Sequence, residues 1–192
     1  MTQFFFLAPG ETLAPALAAQ GIVGVPISAP PSPASAGYAW VIGSPAAVQV
    51  NGVWQQNWVQ QAVPLATAQG EALATVAATL AAKLAAGLAI GSNVIAIDAA
   101  AQSEIAALAI LALATISGTA TTPWPTGRTW PVVSGTPIPL TTPQDLIAVG
   151  APAAHYVWSL KNYATLLAAQ IGAATTAAAV QAIDLVGGWP TS

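Results

Sequence analysis

Val48-Gln49-Val50-Asn51-Gly52-Val53-Trp54-Gln55-Gln56-Asn57-Trp58-Val59 spells a β-hairpin, and at Pro64, shortly after it, the chain changes character. Asn-Gly favours the type I′ turn because both residues tolerate positive φ. On the second strand Trp54, Gln56 and Trp58 share one face, while Val53, Gln55, Asn57 and Val59 share the other. Before Pro64, Pro, Gly, Val and Trp dominate; after it, alanine-rich helical sequence alternates with short extended pieces. The pattern predicts an α+β chain. A small β-rich N-terminal module over residues 1–63, with a Pro-rich linker and the hairpin, precedes a mostly α-helical domain over residues 64–192 with a short β-hairpin insert.

Working upstream from the hairpin, Tyr38-Ala39-Trp40-Val41-Ile42 reads as a strand closed by Gly43-Ser44-Pro45. Pro26, Pro30, Pro31 and Pro33 mark an extended linker of polyproline type. Gln3–Leu7 reads as a strand ended by Pro9-Gly10.

Downstream, a helix is expected from about Leu65 to Leu88, loosened by Gly87 and Gly91. Asn93–Ile97, rich in β-branched residues, reads as a strand. Asp98 is a suitable N-cap for a helix from Ala99 to about Ser117, stopped by Gly118. Ile105, Leu108, Ile110, Leu111, Leu113 and Ile116 point around most of that helix, which predicts burial on nearly all sides. Trp130–Leu140 reads as a hairpin turning at Ser134-Gly135, its second arm an edge because it carries Pro137 and Pro139. Thr142-Pro143-Gln144-Asp145 has the form of a capping box opening a last helix. Gly150 and Pro152 are expected to kink or split that helix, which otherwise runs through Leu160, Tyr163, Leu167, Ile171 and Ala174 to near Val186.

The charge count narrows the function classes. Hydrophobic residues make up 55% of the 192 and charged residues only 5%, against about a quarter in an ordinary soluble domain. Glu11, Glu71, Lys83, Asp98, Glu104, Arg128, Asp145, Lys161 and Asp184 are the whole set. A surface that cannot be dressed in charge is either neutral and polar or covered by neighbouring subunits. Three scattered basic residues make no phosphate-neutralising patch, so no nucleic-acid partner is expected. The absence of cysteine rules out disulfides and thiolate metal sites. The strongly apolar run Ile105–Ile116 falls short of the roughly 20 residues of a membrane span. The N-terminus lacks the basic region of a secretory leader. Neither a span nor a leader is therefore expected.

Glu71–Leu88, Val94-Ile95-Ala96-Ile97-Asp98 and Ala101-Gln102-Ser103-Glu104-Ile105 follow one another in order. Trp130…Ser134-Gly135…Leu140-Thr141 and Ala154-His155-Tyr156-Val157 come after them. In this order and spacing, over about residues 68–189, the chain resembles an uncharacterised domain family of bacteriophage tail fibre and tail-fibre-assembly proteins. The sequence departs from the family pattern in having far fewer charges and extra prolines. The resemblance implies a phage-tail setting, hence a virion protein made in the host cytoplasm, and brings no catalytic residues with it.

Candidate chemistry is sparse. His155 is the single histidine; its nearest acid in sequence is Asp145, and no Gly-x-Ser-x-Gly motif supplies a nucleophile. It reads as a helix-borne histidine hydrogen-bonded in or near the core. Asp98 and Glu104 do not share a helix face well, and no closely spaced oxygen ligands form a calcium loop. No enzyme activity, cofactor or metal is expected. The candidate interface or ligand-stacking residues are Trp40, Trp54, Gln56, Trp58, Trp124 and Trp130. An exposed Trp54–Gln56–Trp58 face could stack a sugar, but anchoring a core or a subunit interface is the reading preferred here. The expected function is a non-catalytic structural subunit of a phage tail, in the fibre or baseplate region. It would pack against copies of itself and other virion proteins. A tail-fibre-assembly chaperone and a receptor- or glycan-binding tail module are the alternatives.

Overall fold

The computed structural model describes residues 3–9, 11–31 and 33–191, with the backbone alone at Pro45. Gly10, expected to end the first strand, and Ser32, within the proline segment, lie outside the described residues. The architecture is α+β, strand-rich at the start and helical afterwards. Contacts divide the chain into two compact units: Met1–Ala68 with Thr175–Ala182, and Gln69–Ala174 with Ile183–Ser192.

In the first unit, β1 (Phe4–Leu7) pairs in parallel with β2 (Val23–Pro26). Between them lies the short helix α1 (Pro15–Ala19), opened by Pro15 at a position where a missing N–H costs nothing. The hairpin forms as expected: β3 (Tyr38–Val50) pairs antiparallel with β4 (Val53–Ala62), and Val50 faces Val53 across the turn. Asn51 (φ 52°) and Gly52 (φ 80°) both take left-handed backbone, as a type I′ turn demands. Gly43-Ser44-Pro45 does not close the strand. β3 runs on through it, with a register shift between Ile42 and Ala47. A bulge absorbs the extra residues, so the ladder resumes instead of ending. Gly43 fits there because a Cβ would fall 2.6 Å from the Asn57 amide nitrogen. The unit also takes in α5 (Ala177–Gln181), a short helix capped by Thr176. The Gln181 side chain accepts from the Gly37 N–H at 2.6 Å.

In the second unit, α2 (Leu65–Ala86) ends where Gly87 adopts φ +83°. A Cβ at Gly87 would press on the Ile95 carbonyl and on Val94 at 2.8 Å. The next residue, Leu88, expected to be helical, instead opens β5 (Leu88–Ile90). β5 pairs antiparallel with β6 (Asn93–Ile95). Asp98 caps α3 (Ala99–Ile116), its carboxylate accepting from the Ala101 N–H at 2.9 Å.

The expected Trp130–Leu140 hairpin is built differently. Pro131, which has no N–H to give a ladder, separates β7 (Thr129–Trp130) from β8 (Val132–Ser134). β8 joins β6 as the third strand of that sheet, while β7 pairs with β9 (Ile138–Pro139). The proline-bearing β9 sits in a two-stranded ladder, where a residue without a donor is tolerated.

α4 (Pro143–Ala173) opens with the full capping box: Thr142 Oγ1 accepts from the Asp145 N–H at 3.3 Å, and Asp145 accepts from the Thr142 N–H at 2.7 Å. Gly150 and Pro152 do not split it; the helix is continuous over 31 residues and ends at Ala173, short of Val186. Leu146, Val149, Ala153, Val157, Leu160, Leu167 and Ile171 line its buried face. Two losses are offset by that stripe: the hydrogen bond Pro152 cannot make, and the lower helix propensity of Gly150. The core of the unit gathers Trp130, Ile95, Ile97, Leu140, Leu146, Leu160, Leu167 and Ile171, each 2% exposed or less. Near the end of the chain, Asp184 Oδ1 accepts from the Gly187 and Val186 N–H groups at 2.8 and 3.0 Å.

Three expectations concern the Asp98 cap, the Glu104–Arg128 ion pair and the Asp184 turn. Asp98→Ala will lower unfolding free energy by about 1 kcal/mol in chemical denaturation, the usual worth of such a cap. Glu104→Ala will cost no more than about 0.5 kcal/mol, because its ion pair with Arg128 (3.2 Å) joins two side chains that are each 49% exposed. The hydrogen bonds from Gly187 and then Val186 hold the Asp184 carboxyl below its ordinary 3.8, against a smaller opposing effect of burial. A depressed folded-state value stabilises the fold above the unfolded value, and that stabilisation is lost as the pH falls through the folded one. Carbon-detected NMR titration will therefore place the Asp184 midpoint below 3.8, and Asp184→Asn will remove this part of the acid sensitivity.

Candidate functional site

A cavity walled mainly by apolar side chains lies between α3 and α4 and measures about 360 Å³. Ile105 and Ala106 come from α3, and Ala153, Ala154 and Val157 from α4. Trp130 and Ile97 close its base; they are 0% and 1% exposed. The indole is held in place, since Trp130 Nε1 donates to the Ala96 carbonyl at 3.2 Å.

Gly150 faces this indole. A Cβ there would meet Trp130 Cζ3 at 3.5 Å and Ile105 Cγ2 at 4.0 Å, ordinary contact distances. Packing alone would thus accept alanine, and glycine leaves unfilled space above the ring.

The rim is polar and cationic. Gln102 Nε2 donates to the Ile97 carbonyl at 2.6 Å, which turns its Oε1 outward to accept from Lys161 Nζ at 3.2 Å. Lys161 forms no ion pair among the described residues; Arg128 with Glu104 is the pair found there. Beside Lys161, Trp158 stands 62% exposed on the same helix. His155 has its ring 6.2 Å from Trp158 and is exposed, contrary to its expected place in or near the core. It lies two residues, and so about 200° around the helix, from both Ala153 and Val157 of the buried stripe of α4.

The candidate aromatic residues divide between the two units. In the first, Trp40, Trp54, Gln56 and Trp58 are all half-buried. Trp54 packs on Phe4 with ring centroids 4.8 Å apart. Gln56 Oε1 accepts from the Ser28 N–H at 2.7 Å, and Trp58 Nε1 lies 3.5 Å from Ser28 Oγ. The polar atoms that would address a sugar are thus engaged in holding the proline-rich segment against β4. In the second unit, Trp124 Nε1 donates to the Leu140 carbonyl at 3.0 Å, and Trp130 sits beneath the cavity. Of these six residues only Trp130 lines the α3–α4 cavity.

Reasoning from sequence missed Trp158, Gln102 and Lys161 as a group. A helical reading could have placed Trp158 and Lys161 on one face from their spacing, but nothing in the sequence brings Gln102 to them.

A family model matches residues 67–185, more than half of the chain. The chain belongs to that family, described as a domain of unknown function (DUF4376). Every residue lining the α3–α4 cavity falls inside the DUF4376 segment, whereas Trp40, Trp54, Gln56 and Trp58 precede it. No curated protein and no solved structure matches the chain.

Trp130→Ala will destabilise the second unit by about 3–5 kcal/mol in thermal or chemical unfolding, the range for a deleted core aromatic. Trp158→Ala will change stability by less than about 0.5 kcal/mol. Gly150→Ala will raise it by roughly 0.5–1 kcal/mol, because helix propensity improves and no close contact is created.

Proposed function

We propose that this chain is a non-catalytic assembly subunit that works by having its apolar helical surface covered by copies of itself or by partner proteins. One observation carries this reading: the most apolar helix is left largely uncovered. α3 has a mean hydropathy of 1.7, yet only 11% of it is buried. Ile110, Leu113 and Ile116 are 74%, 63% and 47% exposed, where burial on nearly all sides was expected. Ile110 and Leu113 share a face with Ser103 and Ala106, at the three- and four-residue spacing of a helix–helix seam. Complete burial of each such side chain is worth about 1.5–3 kcal/mol, so a seam of this kind holds a partner without charge steering.

α3 is also the one helix among the described residues long and apolar enough to cross a membrane. Its 18 residues span only about 27 Å, slightly under a hydrocarbon core of roughly 30 Å. It also packs against α4, with Ala101 and Ala112 buried, and Glu104 lies within it paired to Arg128. These features favour a protein partner.

The setting proposed is a phage tail, as a virion component of the fibre or baseplate region. It is supported by the ordered resemblance over residues 68–189 and by a surface too poor in charge to stand alone. Light scattering after size exclusion will show the intact chain as an oligomer well above its 19.1 kDa monomer mass. Ile110→Lys with Leu113→Lys will return it to monomer with unchanged circular dichroism. A monomeric native chain that floats with lipid vesicles would sink the assembly reading in favour of membrane contact. Mass spectrometry of purified tails that never finds the chain would rule out a virion component.

A further inference from the structure

We infer that the α3–α4 cleft is a ligand site for a compact apolar carboxylate, its ring or short chain against Trp158 and the apolar walls and its carboxylate on Lys161 Nζ. The inference does not depend on the assembly reading: Ala106 borders both surfaces, but Ile110 and Leu113, which carry the seam, do not line the cleft.

The cavity is of ligand size: about 360 Å³ lies within the roughly 300–1,000 Å³ of small-molecule sites, which are mostly apolar with a few placed polar groups. The walls here are Ile105, Ala106, Ala154 and Val157, and the polar groups are few and held in position. Gln102 is fixed by the Ile97 carbonyl, and Lys161 in turn by Gln102. An ammonium has three donors, and one is engaged by Gln102. The remaining two belong to a cation with no ion pair among the described residues, so the rim offers an anionic ligand a surplus positive charge. A neutral apolar ligand would have no use for that charge, and a cationic one would be repelled.

Gly150 adds a second line of argument. Its position over Trp130 tolerates a methyl group at ordinary contact distance, so the fold does not require glycine there. A helix-interior glycine costs stability relative to alanine. The space it leaves opens from the apolar base toward the mouth, where Trp158 exposes an aromatic face. Aromatic faces stack on flat apolar groups. An aryl carboxylate thus matches the cleft in shape, polarity and charge.

The test is a titration of the full chain with 2-naphthoate, followed by amide NMR. 2-Naphthalenemethanol and 2-naphthylmethylammonium, of the same ring system, serve as the neutral and cationic controls. The acid is expected to shift the Gly150, Ala154 and Lys161 amides and to bind about fivefold more tightly than the alcohol, the gain suited to a partly screened ion pair. The ammonium is expected to bind most weakly. Lys161→Met keeps the apolar stem and will erase the preference for the acid while leaving the alcohol unchanged. Ala106→Leu, at an exposed position, will narrow the mouth and weaken acid and alcohol alike, with native circular dichroism. The inference fails if millimolar 2-naphthoate leaves these amides unmoved. It fails equally if acid, alcohol and ammonium bind alike, or if Lys161→Met retains the native preference for the acid.

Discussion

Trp130 brings segments far apart in sequence to one indole ring. Its Nε1 donates to the Ala96 carbonyl just before the Asp98 cap of α3, and the ring lies under Gly150 of α4. Its backbone pairs with Ile138 in the β7–β9 ladder. The side chain is 0% exposed, and a buried indole without its partner would carry an unsatisfied donor. The hydrogen bond therefore fixes where the ring can sit, and the ring fixes how α3 and α4 flank the space above it. The cleft is a consequence of this one anchored side chain and of the glycine facing it.

The elements that could be read from sequence are those whose cause is local. Asn51-Gly52 needs only its own backbone preference to turn, Asp98 only its own carboxylate to cap, and Thr142 with Asp145 only each other. The discrepancies arise where a distant partner decides. Gly43–Pro45 looks like a strand end until β4 continues beyond it and a bulge becomes the lower-energy course. Val132–Ser134 has a sequence suited to a local hairpin, but β6 offers an unpaired edge and takes it as a third strand. Gly150 and Pro152 weaken a helix that the buried stripe from Leu146 to Ile171 then holds together. Local propensity lost in each case to packing.

The candidate site was legible only in part, for the same reason. Tryptophan stands out in the sequence, but the sequence could not sort its seven copies. Trp54, Gln56 and Trp58 do share a strand face, and the structure spends that face on Phe4 and Ser28. Trp189 is turned inward against Tyr163 with ring centroids 5.2 Å apart, while Trp158 is turned outward. The pairing of Gln102 with Lys161 spans 59 residues and rests on the packing of α3 against α4, which hydrophobic periodicity does not encode.

The apolar periodicity of α3 misleads in an instructive way. A helix apolar all round was expected to be buried all round, yet this one turns a single face to its own unit, around Ala101 and Ala112. The two buried residues are alanines, and Ile105, Leu108 and Leu111 are half-buried beside them, while Ile110, Leu113 and Ile116 point away. An ordinary surface helix turns small, polar or charged residues outward and not a row of large aliphatic ones. If α3 merely tolerated solvent, polar substitutions on its outer face would cost the fold nothing and would relieve an exposed apolar patch. Large aliphatic side chains kept outward are better accounted for by an outer face that is covered when the protein does its work. The shortage of charge and the outward aliphatic row of α3 then have one common cause, which is why the assembly proposal rests on α3 and not on composition alone.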